Sequence, residues 1–172
     1  MSPKTNHWQD DIWRALKAGH IAQVAYVPDA GHEGLIRAAH ADKAITATVL
    51  TTEEEGVGLL AGADLGGERG VLLMQSSGVG NCVNAFSLLK VCGFPFLTIV
   101  TMRGEWAEFN PWQVPMGQAT PETFARAGFL VYRVERPEDA GPTVAAALAN
   151  AYDSHTANAV LLAQRLVGAK VF

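Results

Sequence analysis

Six short and almost continuously apolar runs, at 23–27, 44–49, 70–74, 96–101, 129–133 and 158–162, constrain this chain more than any single motif. A run that is apolar at every position, rather than at alternate ones, suits a strand packed on both faces. Helical patterns fall between the runs. Trp8, Ile12 and Leu16 repeat at four-residue spacing, and further helical segments fall at 35–39, 54–65, 81–92, 121–127 and 137–152. Gly93 and Pro95 close the segment 81–92, and Pro121 suits a first helical turn, where its missing N–H is not needed. Strands joined by helical crossovers predict an α/β fold: a single doubly wound domain with a six-stranded, mostly parallel sheet. A length of 172 residues fits one such domain with a core that needs no staples.

Composition narrows the function. Although 49% of the residues are hydrophobic, they are dispersed, and no stretch reaches the roughly 20 apolar residues of a membrane span. The first seven residues lack the apolar centre of a secretory signal. A net charge of −4 without a basic block argues against nucleic acid as a partner. Cys82 and Cys92 stand ten positions apart among apolar neighbours, a spacing that suits neither a redox pair nor a zinc site. They read as buried structural thiols in a reducing cytoplasm. The segment 102–120 lacks periodicity and is long for a loop in a compact domain. Its Trp106, Phe109 and Trp112 read as a lid or an interface anchor.

Three places can carry chemistry. The acidic run Glu53-Glu54-Glu55 opens a helix containing Gly56, Gly58 and Gly62. Acids in a first turn are ordinary partners of the helix dipole, yet each glycine costs a helix interior roughly 1 kcal/mol, so a packing or ligand constraint is expected there. A carboxylate desolvated beside a cofactor nitrogen can share a proton. The stretch Gln75-Ser76-Ser77-Gly78-Val79-Gly80-Asn81 leaves the third apolar run as a polar turn. It lacks the third glycine of a dinucleotide fingerprint and reads as a turn whose Ser76, Ser77 and Asn81 cap the next helix while backbone groups face a ligand. Arg103 follows the fourth run, and its planar fork suits an oxyanion. His32 follows the first run, where an imidazole can donate to, or titrate against, an anionic substrate. His7, His20, His40 and His155 form no motif, and the sequence holds no HExxH, Walker lysine or GxSxG elbow.

In combination these motifs resemble the pyrimidine-binding domain of thiamine-diphosphate enzymes over almost the full length, and more closely the alpha subunits of sulfopyruvate decarboxylase, relatives of phosphonopyruvate decarboxylase. The resemblance rests on Val27-Pro28-Asp29, Thr52-Glu53-Glu54-Glu55-Gly56-Val57-Gly58, Ala61-Gly62-Ala63, the stretch from Met74 to Asn81, Arg103-Gly104-Glu105, and Pro115-Met116-Gly117-Gln118-Ala119-Thr120. In that family a helix-opening glutamate hydrogen-bonds to N1' of the aminopyrimidine and promotes the imino tautomer that deprotonates the thiazolium. Spacing to Ala61-Gly62-Ala63 favours Glu54 for this role, with Glu55 second. Gln75, Ser76, Gly78 and Asn81 are then expected beside the cofactor, and His32 and Arg103 are candidates for reading the substrate, His32 also as a catalytic group. Where many relatives carry aspartate or serine after the proline turn, this chain has Ala30, so that role passes to His32 or to a partner. Asp64 stands where a tyrosine is often found and reads as a surface change.

The resemblance also implies what must come from elsewhere. The family holds diphosphate and magnesium on a separate domain with a Gly-Asp-Gly start, and no such signature occurs here. The whole chain, 1–172, is therefore expected to be the pyrimidine-binding domain, partnered by a beta subunit that carries the diphosphate-binding domain. Active sites at alpha–beta interfaces and a hetero-oligomer of such pairs follow. The expected reaction is decarboxylation of 3-sulfopyruvate to sulfoacetaldehyde, with 3-phosphonopyruvate as the rival substrate and a non-catalytic assembly subunit as the rival role.

Overall fold

Residues 8–168 are described by the computed structural model of the chain; the N-terminal stretch weighed as a signal, and His7 within it, lie outside the described residues. The elements alternate. Helix α1 (Trp8–Ala18) precedes β1 (Ile21–Tyr26), α2 (Glu33–Ala41), β2 (Thr46–Val49), α3 (Glu53–Leu65) and β3 (Arg69–Gln75). Then come α4 (Ser76–Cys82), α5 (Phe86–Cys92), β4 (Phe96–Thr101), α6 (Val114–Arg126), β5 (Leu130–Val134), α7 (Ala140–Asp153), β6 (Ala157–Leu162) and α8 (Gln164–Val167). The strands form one six-stranded sheet in the order β2-β1-β3-β4-β6-β5, and every pairing is parallel.

Strand pleating sorts the apolar runs into two cores. Val71 and Leu73 face one side, where Ile12 and Leu16 of α1, Leu35 of α2 and Val144 and Leu148 of α7 cover them. Leu72 and Met74 face the other, under Val57 and Leu60 of α3, Phe86 of α5 and Phe124 of α6. On that second face Phe86, Phe96, Phe124 and Phe129 pack with ring centroids 4.9–6.0 Å apart. Each such side chain, fully buried, is worth about 1.5–3 kcal/mol, so the central strands anchor the domain. The edge strands β2 and β5 are only partly covered.

Three expectations change. The polar stretch after β3 is not a turn: α4 begins at Ser76, directly on the strand end, with no side-chain cap from Gln75, and the expected helix 81–92 is divided into α4 and α5. Ser76, Gly78, Val79 and Cys82 are its buried face, so packing sustains a helix that weak helix formers would not. Part of the aperiodic segment is helical as well, because α6 starts at Val114 and carries Pro121 in its interior. Finally, Cys82 is buried but Cys92 is exposed at the end of α5. Among the described residues no helix is long and apolar enough to cross a membrane.

Candidate active site

The sheet reverses its winding between β1 and β3: the chain passes from β1 outward to β2, then returns to β3 and builds toward β5. The carboxyl ends of the strands at such a point form the natural crevice of an open α/β sheet. There Asp29, just beyond β1, ties three strands together. Its Oδ1 accepts from Gln75 Nε2 of β3 at 3.0 Å, and its Oδ2 accepts from Thr101 Oγ1 of β4 at 2.7 Å and from the Gly31 N–H at 3.0 Å. The Ser77 hydroxyl continues the chain by donating to Gln75 Oε1 at 2.8 Å. Asp29, Gly31, Thr101 and Arg103 line a small cleft of about 120 Å³ at this edge.

Helix α3 opens beside the same edge, with Thr52 as its extended N-cap residue. Glu55 turns back to accept from the Thr51 N–H at 2.8 Å, and both Glu54 and Glu55 are exposed. Glu53 is the one that points inward, 7% exposed. Its Oε2 accepts from Asn81 Nδ2 at 2.8 Å. On its other side lies Gly78: a Cβ there would fall 2.2 Å from Oε1, so the carboxylate occupies space that only glycine leaves. Gly78 and Asn81, three apart on α4, share one helical face and flank the group together. The expected ligand constraint on the α3 glycines is divided. Gly56 packs against Leu72 and Leu50, whereas a side chain at Gly58 or Gly62 would meet nothing.

The expected site residues separate into two groups. Gln75, Gly78 and Asn81 converge on the switch point as described. Ser76 is fully buried and structural: its Oγ accepts from the Arg103 N–H at 3.0 Å and its carbonyl accepts from Thr120 Oγ1 at 3.3 Å. Glu54 points to solvent, one residue out of phase with the buried Glu53. His32 has no exposed surface; its Nε2 donates to the Met74 carbonyl at 3.1 Å, and its Nδ1 has no partner among the described residues. Burial lowers its pKa against the opposing pull of Asp29, so the ring is neutral and closed off from solvent.

Arg103 is likewise committed. It is buried in a two-point ion pair with Glu108, Nε to Oε2 at 2.6 Å and Nη2 to Oε1 at 2.5 Å. The same carboxylate accepts from the Gly104 and Asn110 N–H groups and from Gln164 Nε2. Arg103 above all holds the Glu108 carboxyl down at about 2. Gln164 Oε1 accepts from the Glu105 and Trp106 N–H groups, both at 2.9 Å, fastening the segment to the start of α8, just after β6. The chain reverses tightly here: Gly104 has φ +74°, and a Cβ on Gly117 would lie 1.9 Å from the Arg103 carbonyl. The loop is thus pinned at its base and presents Trp106, Phe109 and Trp112 outward. Cys82 lies behind the acidic turn, its thiol pushed up to about 12 first by burial and then by Glu53 and Glu54, which leaves it unreactive.

Within the acidic run the sequence reading favoured Glu54 over Glu53, it named Asp29 only as part of a motif, and it did not single out Glu108 or Gln164. For Glu53 a signal existed: it shares an i, i+4, i+7 stripe with the apolar Val57 and Leu60, whereas Glu54 is in phase with Gly58 and Ala61. For the Arg103–Glu108–Gln164 node there was none, because its members come from an aperiodic loop and from the start of α8, 56 residues beyond Glu108.

Solved structures share this fold. The chain superposes on part of 2-oxoglutarate:ferredoxin oxidoreductase from Magnetococcus marinus with a TM-score of 0.76 at 15% identity, covering 94% of this chain and 29% of that one. It also superposes on an enzyme from Mycobacterium smegmatis assigned to the thiamin-diphosphate-dependent class, with a TM-score of 0.70 at 16% identity, covering 91% of this chain and 30% of that one. Both share with this chain a single α/β domain built on a six-stranded parallel sheet with surrounding helices. No family model matches the chain. It is 38% identical over 130 residues to the sulfopyruvate decarboxylase subunit alpha of Methanocaldococcus jannaschii, covering 75% of this chain and 77% of the relative. To the subunit alpha of Methanococcus maripaludis it is 36% identical over 130 residues, covering 75% and 78%. The chain belongs to the sulfopyruvate decarboxylase alpha-subunit family. In the sulfopyruvate decarboxylase of Methanosarcina acetivorans the match, 32% identical over 118 residues, spans 68% of this chain but only 30% of a longer protein.

Proposed function

We propose that this chain is the pyrimidine-binding half of a thiamine-diphosphate-dependent decarboxylase that acts on 3-sulfopyruvate, with Glu53 as the carboxylate that meets the cofactor ring. The carrying observation is the buried Glu53 carboxylate at the switch point of the sheet, held by Asn81 and admitted by Gly78. An acid enclosed on the protein side, with oxygens free for a further donor, fits a protonatable aminopyrimidine nitrogen. When bound, the cofactor supplies the electron sink that makes loss of CO2 from a 2-oxo acid accessible. Glu53 holds and returns a proton at the pyrimidine nitrogen, while Gln75 is fixed between Asp29 and Ser77 at the end of β3. His32 and Arg103 take structural roles in this reading, His32 under β3 and Arg103 beneath the aromatic loop.

Magnesium and the diphosphate belong to a beta subunit in this proposal. The relatives called subunit alpha support that division, as does the single longer chain of the Methanosarcina acetivorans relative, in which this region is a minor part. The pair is placed in the cytoplasm, where the free thiols Cys82 and Cys92 persist. Phosphonopyruvate remains the second reading, because the chain is also 34% identical over 116 residues to the phosphonopyruvate decarboxylase of Streptomyces hygroscopicus, of which it covers 29%. Sulfopyruvate is favoured because the alpha subunits match over more of both chains.

The test is steady-state turnover of the reconstituted alpha–beta pair on both substrates. The expected result is a higher kcat/KM on sulfopyruvate and, in Glu53→Gln, a fall in kcat of at least ~100-fold with assembly intact. Full turnover by Glu53→Gln, or by this chain without a partner, contradicts the proposal.

A further inference from the structure

We infer that Asn81 is a positioning residue for Glu53: its amide holds Oε2 and leaves Oε1, the oxygen over Gly78, as the one offered to the ligand. This rests on the reading of Glu53 given above and extends it to the individual oxygens. Several observations converge on it. Asn81 is exposed on α4, yet its side chain is turned back onto the nearly buried Glu53 at 2.8 Å instead of into water. Glu53 is the only acid of its triplet that is buried, and among the described residues Asn81 is the side chain that donates to it. The geometry is fixed from both helices. Glu53 is in the first turn of α3, and α4 leaves β3 without a connecting loop, so Gly78 and Asn81 reach the carboxylate from a segment with little freedom. Gly78 clears the volume and Asn81 selects the rotamer.

An asparagine suits this task for a chemical reason. Its N–H donates to a carboxylate without adding charge, so the proton that Glu53 exchanges with a ligand is neither supplied nor captured by its neighbour. A lysine or arginine at the same place would form an ion pair and hold the carboxylate ionised, as Arg103 does for Glu108. An aspartate would keep the shape but replace the donor by a second anion.

That last substitution separates positioning from packing. If Asn81 merely fills space, the isosteric Asn81→Asp is milder than Asn81→Ala. If it positions Glu53 through its donor, the order reverses. In the reconstituted alpha–beta pair, kcat is expected to fall by ~10–100-fold in Asn81→Ala and further in Asn81→Asp, with KM for the 2-oxo acid changed less than ~3-fold. A second reading needs no cofactor. In the full chain alone, Asn81→Asp should lower the melting midpoint by about 2–4 °C, and adding Glu53→Gln should restore it, because the juxtaposed anions are then gone. Asn81→Asp matching or exceeding Asn81→Ala in turnover, or a melting midpoint of Asn81→Asp that Glu53→Gln does not restore, overturns the inference. Unimpaired turnover in Glu53→Gln alone, with the melting-point coupling present, instead contradicts the function assigned to Glu53.

Discussion

Two buried carboxylates sit near the same sheet edge and differ in how completely they are satisfied. Glu108 accepts from the Arg103 guanidinium at two points, from two backbone N–H groups and from Gln164. Among the described residues Glu53 accepts from one neutral side-chain amide, that of Asn81, and forms no ion pair. The first is a closed structural node with no capacity left for a ligand. The second is enclosed but chemically open. Burial alone therefore does not set what a carboxylate is free to do; the number and charge of its donors do.

The comparison breaks most visibly at Glu108. In Glu108→Gln the Arg103 charge stays buried without its partner, and a loss of about 3–5 kcal/mol in unfolding free energy is expected from denaturant titration. The acid response follows the same node. Because Arg103 depresses the folded carboxyl from 4.5 to about 2, its contribution is complete above pH 4.5 and is lost as pH falls toward 2. The Glu108→Gln chain should show a shallower loss of stability across that window; an identical slope would show that the node does not carry the effect.

Next in size is Gly78→Ala. The added methyl would meet the Glu53 carboxylate at 2.2 Å, so either the acid or α4 must move. A cost of about 1–3 kcal/mol is expected, together with loss of turnover out of proportion to stability. Retained turnover in a stably folded Gly78→Ala pair would show that the carboxylate position is not critical. The smallest effect is expected at Glu54, which is exposed: Glu54→Gln should change unfolding free energy by less than about 0.5 kcal/mol.

The contrast also explains how far the sequence could be read. The six strands were legible because both faces of the central ones are packed, which forces apolar residues at every position of runs such as that from Gly70 to Met74. Helix α4 was not, since Ser76, Gly78 and Gly80 are poor helix formers and the segment is helical only because Val79 and Cys82 pack beneath α3 and α6. The acidic triplet stood out in the sequence, but its three residues are chemically equivalent. The phase that turns Glu53 inward and Glu54 outward is set by Val57 and Leu60 locking α3 onto the sheet. Arg103 read as an anion clamp because its own partner, Glu108, lies in a loop with no periodic signal to place it. His32 read as a group that donates to or titrates against a substrate because its burial under the Met74 carbonyl depends on the register between β3 and the segment after β1.

The central claim is that the open carboxylate, not its exposed neighbour, does the chemistry. The most direct measurement is turnover of sulfopyruvate by the reconstituted pair carrying Glu53→Gln against the pair carrying Glu54→Gln. A collapse of kcat by ~100-fold or more in the first, with the second within about 3-fold of the parent, is the predicted result. Loss of activity confined to Glu54→Gln would contradict it.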